Sequence, residues 1–179
     1  MKKTMLLISA TLATLLVGSA VAAARSLGPT AHATRVGSKI VLFKSVGGVR
    51  IGMTPKQVKR KLGKPSHTIR VGGTIAELEY RHGLDPIINI EFNTILKGDP
   101  ANAVFGYAKK MHTSKGIRPG SSVKALKRAY GHHGLKRTGL GAYTIYKGHP
   151  GAPGERETDF GCLHGKIVDI GIQGVFKNE

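Results

Sequence analysis

Few residues in this chain have the chemistry of a catalytic or metal site, and their spacing limits what they can do. Eight His are present, but His132-His133 is the one adjacent pair. Adjacent side chains diverge unless the backbone turns, and no third ligand follows at a zinc-like spacing. Cys162 precedes His164 by two residues, so on a single strand the thiol and imidazole would share a face, as in half of a thiol–base pair. No other group completes a nucleophilic site, and the expectation is a buried thiol beside a turn His. As the only cysteine, Cys162 forms no internal disulfide, and pairing between chains stays open. Glu77, Glu79 and Glu91 alternate with apolar residues. Glu77 and Glu79 read as a solvated pair on an outer strand face rather than a glycosidase dyad. There is no Gly-x-Ser-x-Gly, and Gly47-Gly48 and Gly139 to Gly141 lack the Lys-Ser/Thr or helix that a phosphate loop or dinucleotide site requires. The chain is therefore expected to be non-enzymatic, with no cofactor and no metal.

Basic residues carry the stronger pattern, and they do so twice. The segment from Gly52 to Gly63 aligns without a gap on the segment from Gly120 to Gly131, sharing Gly-x-Thr/Ser-x-Lys-x-apolar-Lys-Arg-x-large-Gly. Thr54 and Ser122 suit helix N-caps, Pro55 suits a first helical position, and Gln57 completes a capping box. Gly63 and Gly131 suit the left-handed residue past a helix end. Each segment thus predicts a capped helix of about nine residues. Val58 with Leu62, and Leu126 with Tyr130, form the apolar stripes. The outer arcs hold Lys56, Lys59 and Arg60 in the first helix and Lys124, Lys127 and Arg128 in the second. These six are the candidate binding residues.

The elements that must hold them are strands. Alternation predicts strands at His67 to Val71, Ile75 to Arg81, Ile87 to Phe92 and Ala103 to Met111 after the first helix. After the second it predicts them at Leu135 to Arg137, Tyr143 to Lys147, Thr158 to Leu163 and Lys166 to Val175. Gly72-Gly73 and His164-Gly165 read as hairpin turns. The expected fold is α+β: two tandem units, residues 46–114 and 115–179, each a short helix packed on its own antiparallel meander. Residues 25–45 read as a linker, with one edge strand at Ile40 to Phe43.

Lys2 and Lys3, an apolar run from Met5 to about Val17 and small residues to Ala24 have the order of a secretory signal peptide, residues 1–24, cleaved after Ala22 or Ala24. No cysteine stands there to take a lipid. The whole chain carries a formal charge of +18, and removal of Lys2 and Lys3 with the leader leaves +16. Such a field attracts polyanions. Outside the cytoplasm, an anionic wall polymer or membrane surface is a more available partner than nucleic acid, which the low aromatic content also makes the lesser candidate.

The phrase Ile51-Gly52-Met53-Thr54-Pro55-Lys56-Gln57-Val58, closed by Leu62-Gly63-Lys64-Pro65, resembles the opening of the BamE (SmpA/OmlA-like) family of small envelope proteins. A tandem pair of such units is similar to the β-lactamase inhibitory proteins, in which two helix-plus-sheet repeats form a concave binding surface. The resemblance implies an exported binding or assembly module and assigns no functional residue. Two departures stand out: the chain lacks the lipid-bearing Cys of BamE proteins and the disulfides of the inhibitors. The combined expectation is a secreted or wall-associated module that binds an envelope protein or an anionic envelope component. The alternative is an inhibitor of a secreted or periplasmic enzyme.

Overall fold

Thr54 and Ser122 both cap an α-helix in the computed structural model, which describes residues 36–149 and 152–176. The signal peptide, its cleavage point and most of the stretch expected as a linker lie outside the described residues. Helix α1 spans Pro55–Leu62 and α2 spans Val123–Tyr130. Thr54 Oγ1 accepts from the Gln57 amide at 3.3 Å, and Gln57 Oε1 accepts from the Thr54 amide at 2.9 Å, closing the capping box. Ser122 Oγ accepts from the Ala125 amide at 3.1 Å. The residue before each phrase's Met or Ser must be glycine, since Gly52 and Gly120 have φ of 90° and 94°.

The phrase repeats because it performs the same attachment twice. The Gly52 amide donates to the Ala101 carbonyl, and the Ala101 amide returns to the Met53 carbonyl. In parallel, the Gly120 amide donates to the Ile167 carbonyl and the Ile167 amide to that of Ser121. Each helix start is thereby pinned to a strand far along the chain. The helix ends differ. Gly63 leaves α1 at φ 90°, whereas Gly131 is right-handed at φ −54° and continues into a 3₁₀ turn, Gly131–His133. Gly134, at φ 75°, takes the left-handed position expected of Gly131.

The described residues form twelve strands, numbered in chain order. They are β1 (Lys39–Val41), β2 (Ser45–Val46), β3 (Val49–Arg50), β4 (His67–Val71), β5 (Thr74–His82) and β6 (Asp85–Phe92). Then come β7 (Ala101–Gly106), β8 (His112–Thr113), β9 (Lys136–Arg137), β10 (Tyr143–Lys147), β11 (Arg156–Leu163) and β12 (Lys166–Gly174). Eight form one antiparallel sheet in the order β4-β5-β6-β7-β12-β11-β10-β9, and four form a small sheet in the order β3-β2-β1-β8. The β11–β12 turn has positive φ at both His164 (48°) and Gly165 (73°), the requirement of a two-residue turn matched to strand twist.

The expected α+β fold of two separate helix-plus-meander units is overturned. Among the described residues strand makes up 45% and helix 15%, so the fold is mostly β, with two short α-helices and two sheets. The reason is the β7–β12 seam, where Ala103 to Gly106 pair with Gln173 to Ile170 and fuse all eight strands into one sheet. Two separate meanders would each leave an unpaired inner edge, and pairing them satisfies both rows of backbone groups. The small sheet also lay beyond the alternation. β1 is an interior strand, bonded to β2 antiparallel and to β8 parallel, rather than the edge strand expected.

The core lies on one face of the large sheet. Cross-strand partners share a face, so Leu78, Ile90, Val104, Ile172 and Thr158 form one inward row, and Tyr80, Ile88, Gly106, Ile170 and Phe160 the next. Helix α1 covers the β5 side, where Tyr80 Oη donates to the Gly63 carbonyl at 3.1 Å. Helix α2 covers the β11 side, with Tyr130 stacked at 5.7 Å on Phe160. The small sheet fills the middle: a Cβ at Gly106 would lie 2.7 Å from both Val46 Cγ1 and Met111 Sδ. Val58, Leu62 and Leu126 are completely buried in this layer, each contributing roughly 2 kcal/mol of apolar burial.

Candidate functional site

The basic residues singled out in the two helices stand on the layer that covers the core. Lys56, Arg60, Lys124, Lys127 and Arg128 are exposed, and Lys59 is partly covered. They do not form one surface. Lys56 and Lys59 line a cleft of about 710 Å³ between the start of α1, the β4–β5 turn and the Gly98-Asp99 turn. Arg70, from the end of β4, lines the same cleft, as does Asp99. The Arg70 Nη1 donates to the Gly73 carbonyl at 2.8 Å, which orients the guanidinium across the hairpin. Arg70 had no place in the sequence pattern, because it follows an exposed strand position and only the β4–β5 hairpin carries it back to α1.

In the second helix, Arg128 lines a cleft of about 510 Å³ with Lys115, Ser121 and Ala129. Lys127 is engaged elsewhere, its ammonium 5.5 Å from the Tyr143 ring centroid. Lys115 Nζ donates to the Ala129 carbonyl at 2.8 Å and lies 2.6 Å from His133 Nε2. Arg60 and Lys124 line neither cleft. The structure thus joins Lys56, Lys59 and a cation that the sequence pattern missed, and separates the remaining four.

Among the described residues, both α-helices lie on one face of the large sheet, and no helix covers the opposite face. Its central row runs His67, Glu79, Asn89 and Phe105 across β4 to β7, then Gly171, Asp159, Thr144 and Lys136 across β12 to β9. The neighbouring row runs Ile69, Glu77, Glu91 and Ala103, then Gln173, Glu157 and Tyr146. Asp169 stands on the same face and lies over Gly161, a position that a Cβ would block. Phe105 lies over Gly171 in the same manner. Glu77 and Glu79 are thus on an outer face as alternation implies, and Glu91 is directly opposite Glu77.

The charges on this face perturb one another. Glu157 is pushed up to about 7, first by burial and then by Asp159 and Glu155. Glu91 is raised first by partial desolvation, although the residue as a whole stays exposed, and then by Glu77. Asp169 is raised by burial and by Asp159, against the lowering effect of the Gly161 amide. Tyr107, at the end of β7, reaches about 12 through burial and the carboxylates of Asp169, Glu91, Glu77 and Glu79. Asp159 is held within a hydrogen-bond network, accepting from Thr144 Oγ1 at 2.6 Å and from Gln173 Nε2 at 2.8 Å. Arg81 Nε lies 2.7 Å from Glu79 Oε1. Beyond Tyr107 the face opens into a groove of about 870 Å³, lined by the apolar Ile87 and Val168 and also by Lys109 and Lys110.

β11 ends at Leu163 and His164 stands in the turn with φ 48°, so the strand alternation that would put thiol and imidazole on one face does not extend to His164. The Cys162 thiol donates to the Phe160 carbonyl at 3.3 Å, and burial, followed by Asp169, raises it above its ordinary range. Among the described residues, no group of three His, Cys, Asp or Glu is placed to hold a metal, and no helix is long and apolar enough to cross a membrane.

No protein-family profile matches the chain, and no curated protein matches it in sequence. Among solved structures it is similar to the uncharacterized protein YfeY of Escherichia coli, 13% identical with a TM-score of 0.46, over 76% of this chain and 99% of that one. It is also similar to an extracellular protein containing an SCP domain from Bacillus anthracis strain Ames, 9% identical with a TM-score of 0.40, over 69% of this chain and 44% of that one. Likenesses this remote establish neither a family nor a function.

Proposed function

We propose that this chain is an exported, non-enzymatic binding module that holds a phosphate-bearing component of the cell envelope on its α1 side. The observation that carries the reading is the convergence of Lys56, Lys59 and Arg70 on one cleft. Lysine supplies a mobile point charge and arginine a planar fork that matches phosphate oxygens. The formal charge, +18 for the whole chain and +16 once Lys2 and Lys3 leave with the leader, adds a long-range attraction that brings polyanions to the surface before any contact is made. The leader-like amino terminus supports an extracytoplasmic site of action, where such phosphates belong to wall polymers or to lipid headgroups.

Retention of the leaderless protein on phosphate-bearing wall polymer and on phosphatidylglycerol vesicles, each over a NaCl series, tests this and separates the two sources. Retention should weaken steeply as salt rises above physiological strength, because the contacts are exposed and screened within about 8 Å. The variant Lys56→Gln/Lys59→Gln/Arg70→Gln should bind roughly a hundredfold more weakly. The Lys124→Gln/Lys127→Gln/Arg128→Gln variant removes the same formal charge and should lose much less. Equal losses in the two variants, or binding indifferent to salt, would remove the cleft from the account.

A further inference from the structure

We propose that the face of the eight-stranded sheet opposite the helices docks a lysine- or arginine-rich segment of a protein partner. Charge segregation is the first argument. Glu77, Glu79, Glu91, Glu157, Asp159 and Asp169 all stand on this one face, six of the ten Asp and Glu in a chain with 28 Lys and Arg. Along its two central rows the only Lys or Arg is Lys136, at the last strand. Arg81 pairs with Glu79 from the β5 end, which leaves the other five carboxylates of the face without a Lys or Arg partner in their own rows except Lys136.

The arrangement also costs stability, which marks it as serving something other than the fold. Glu77 and Glu91 are directly opposite on adjacent strands, and like charges in that relation repel. A docked ammonium or guanidinium between them would relieve this. The middle of the face is flat and aromatic, because Gly171 lets the Phe105 ring lie across the sheet, a Cβ there falling 2.5 Å from the ring. Tyr146 already accepts a cation in this way, with Lys136 Nζ 5.9 Å from its ring centroid. Among the described residues, the buried Asn89 Oδ1, between Glu79 and Phe105, has no hydrogen-bond partner. Finally, Tyr107 joins the acidic rows to the groove with Ile87 and Val168; Lys109 and Lys110 also line that groove, so the cations of a docked segment would lie on the acidic rows and only an apolar side chain would enter the groove. The surface is distinct from the α1 cleft, and its occupant does not depend on anion binding there.

Fluorescein-labelled deca-lysine and deca-glutamate, titrated against the leaderless protein at low ionic strength and followed by anisotropy, decide the matter. Net charge alone predicts capture of deca-glutamate and rejection of deca-lysine. The acidic face predicts that deca-lysine also binds, and that Glu77→Gln/Glu91→Gln/Glu157→Gln weakens it at least about tenfold, while Lys56→Gln/Lys59→Gln/Arg70→Gln leaves it unchanged or tighter. Single Glu91→Gln, which removes one repelling charge and keeps the side-chain size, should lose about threefold and serves if the triple variant does not fold. No binding of deca-lysine, or equal binding by the native protein and both Gln variants on this face, overturns the proposal.

Discussion

Replacing Glu157 with Gln should stabilise this protein, and only above mildly acidic pH. Glu157 stands opposite Gln173 and Tyr146 on the acidic face, with Asp159 two residues along the same strand and Glu155 nearby. Its carboxyl titrates at about 7 in the fold, against 4.5 for an ordinary glutamate. Between those values the folded chain keeps a proton that the unfolded chain has lost. Stability therefore falls as pH rises from 4.5 to about 7 and is level on either side. Unscreened, that displacement corresponds to about 3 kcal/mol. The group is only partly buried, and solvent screening brings the effect to about 1 kcal/mol. Urea unfolding of native protein and Glu157→Gln at several pH values from 4.5 to 8.5 isolates the term, since every other titrating group is common to both. The variant should match the native protein at the acid end and exceed it by about 1 kcal/mol at pH 8. A difference that does not change with pH, or one that grows towards acid, would refute the electrostatic account of this face.

Gly171→Ala should cost about 1–3 kcal/mol by thermal unfolding, because the new methyl collides with the Phe105 ring; in a Phe105→Ala background most of that penalty should vanish, and its persistence would mean that the ring is not the obstacle. Tyr80→Phe loses the hydrogen bond to the Gly63 carbonyl at the end of α1 and should destabilise by about 1 kcal/mol in urea unfolding. Thr54→Ala removes one half of the capping box and should cost about 1 kcal/mol, with Thr54→Ser close to native. The partly buried Cys162 thiol, raised by burial and by Asp169, should react with a disulfide reagent at pH 8 more slowly than it does in urea-unfolded protein, and equal rates would place it outside the core layer.

Several parts of the fold were legible because their causes are local. A hydroxyl at Thr54 or Ser122 meets an amide three residues on, so each helix start is written within one turn of chain. The turn at His164-Gly165 is likewise set by two residues. Alternation put Glu77 and Glu79 on the face opposite Leu78 and Tyr80, since strand side chains alternate whatever the partner. The left-handed position expected at Gly131 falls instead at Gly134, because a 3₁₀ turn is interposed after α2.

Which edges meet is a different kind of fact, decided at the β7–β12 seam by contacts between residues 64 to 70 positions apart, from Gly106 with Ile170 to Ala103 with Gln173. Nothing near Ala103 specifies Gln173 as its partner, yet that seam turns two runs of strands into one mostly β sheet. The same seam completes the row that brings Glu79 and Asp159 onto one surface, and the β4–β5 hairpin carries Arg70 to Lys56 and Lys59. By itself the sequence determined the capped helices, the strand alternation and the inventory of charge. Tertiary structure alone decided that the cations would be split between clefts and the acids gathered on one face, because side-chain period assigns a residue to one side of its strand while long-range pairing selects its neighbours there.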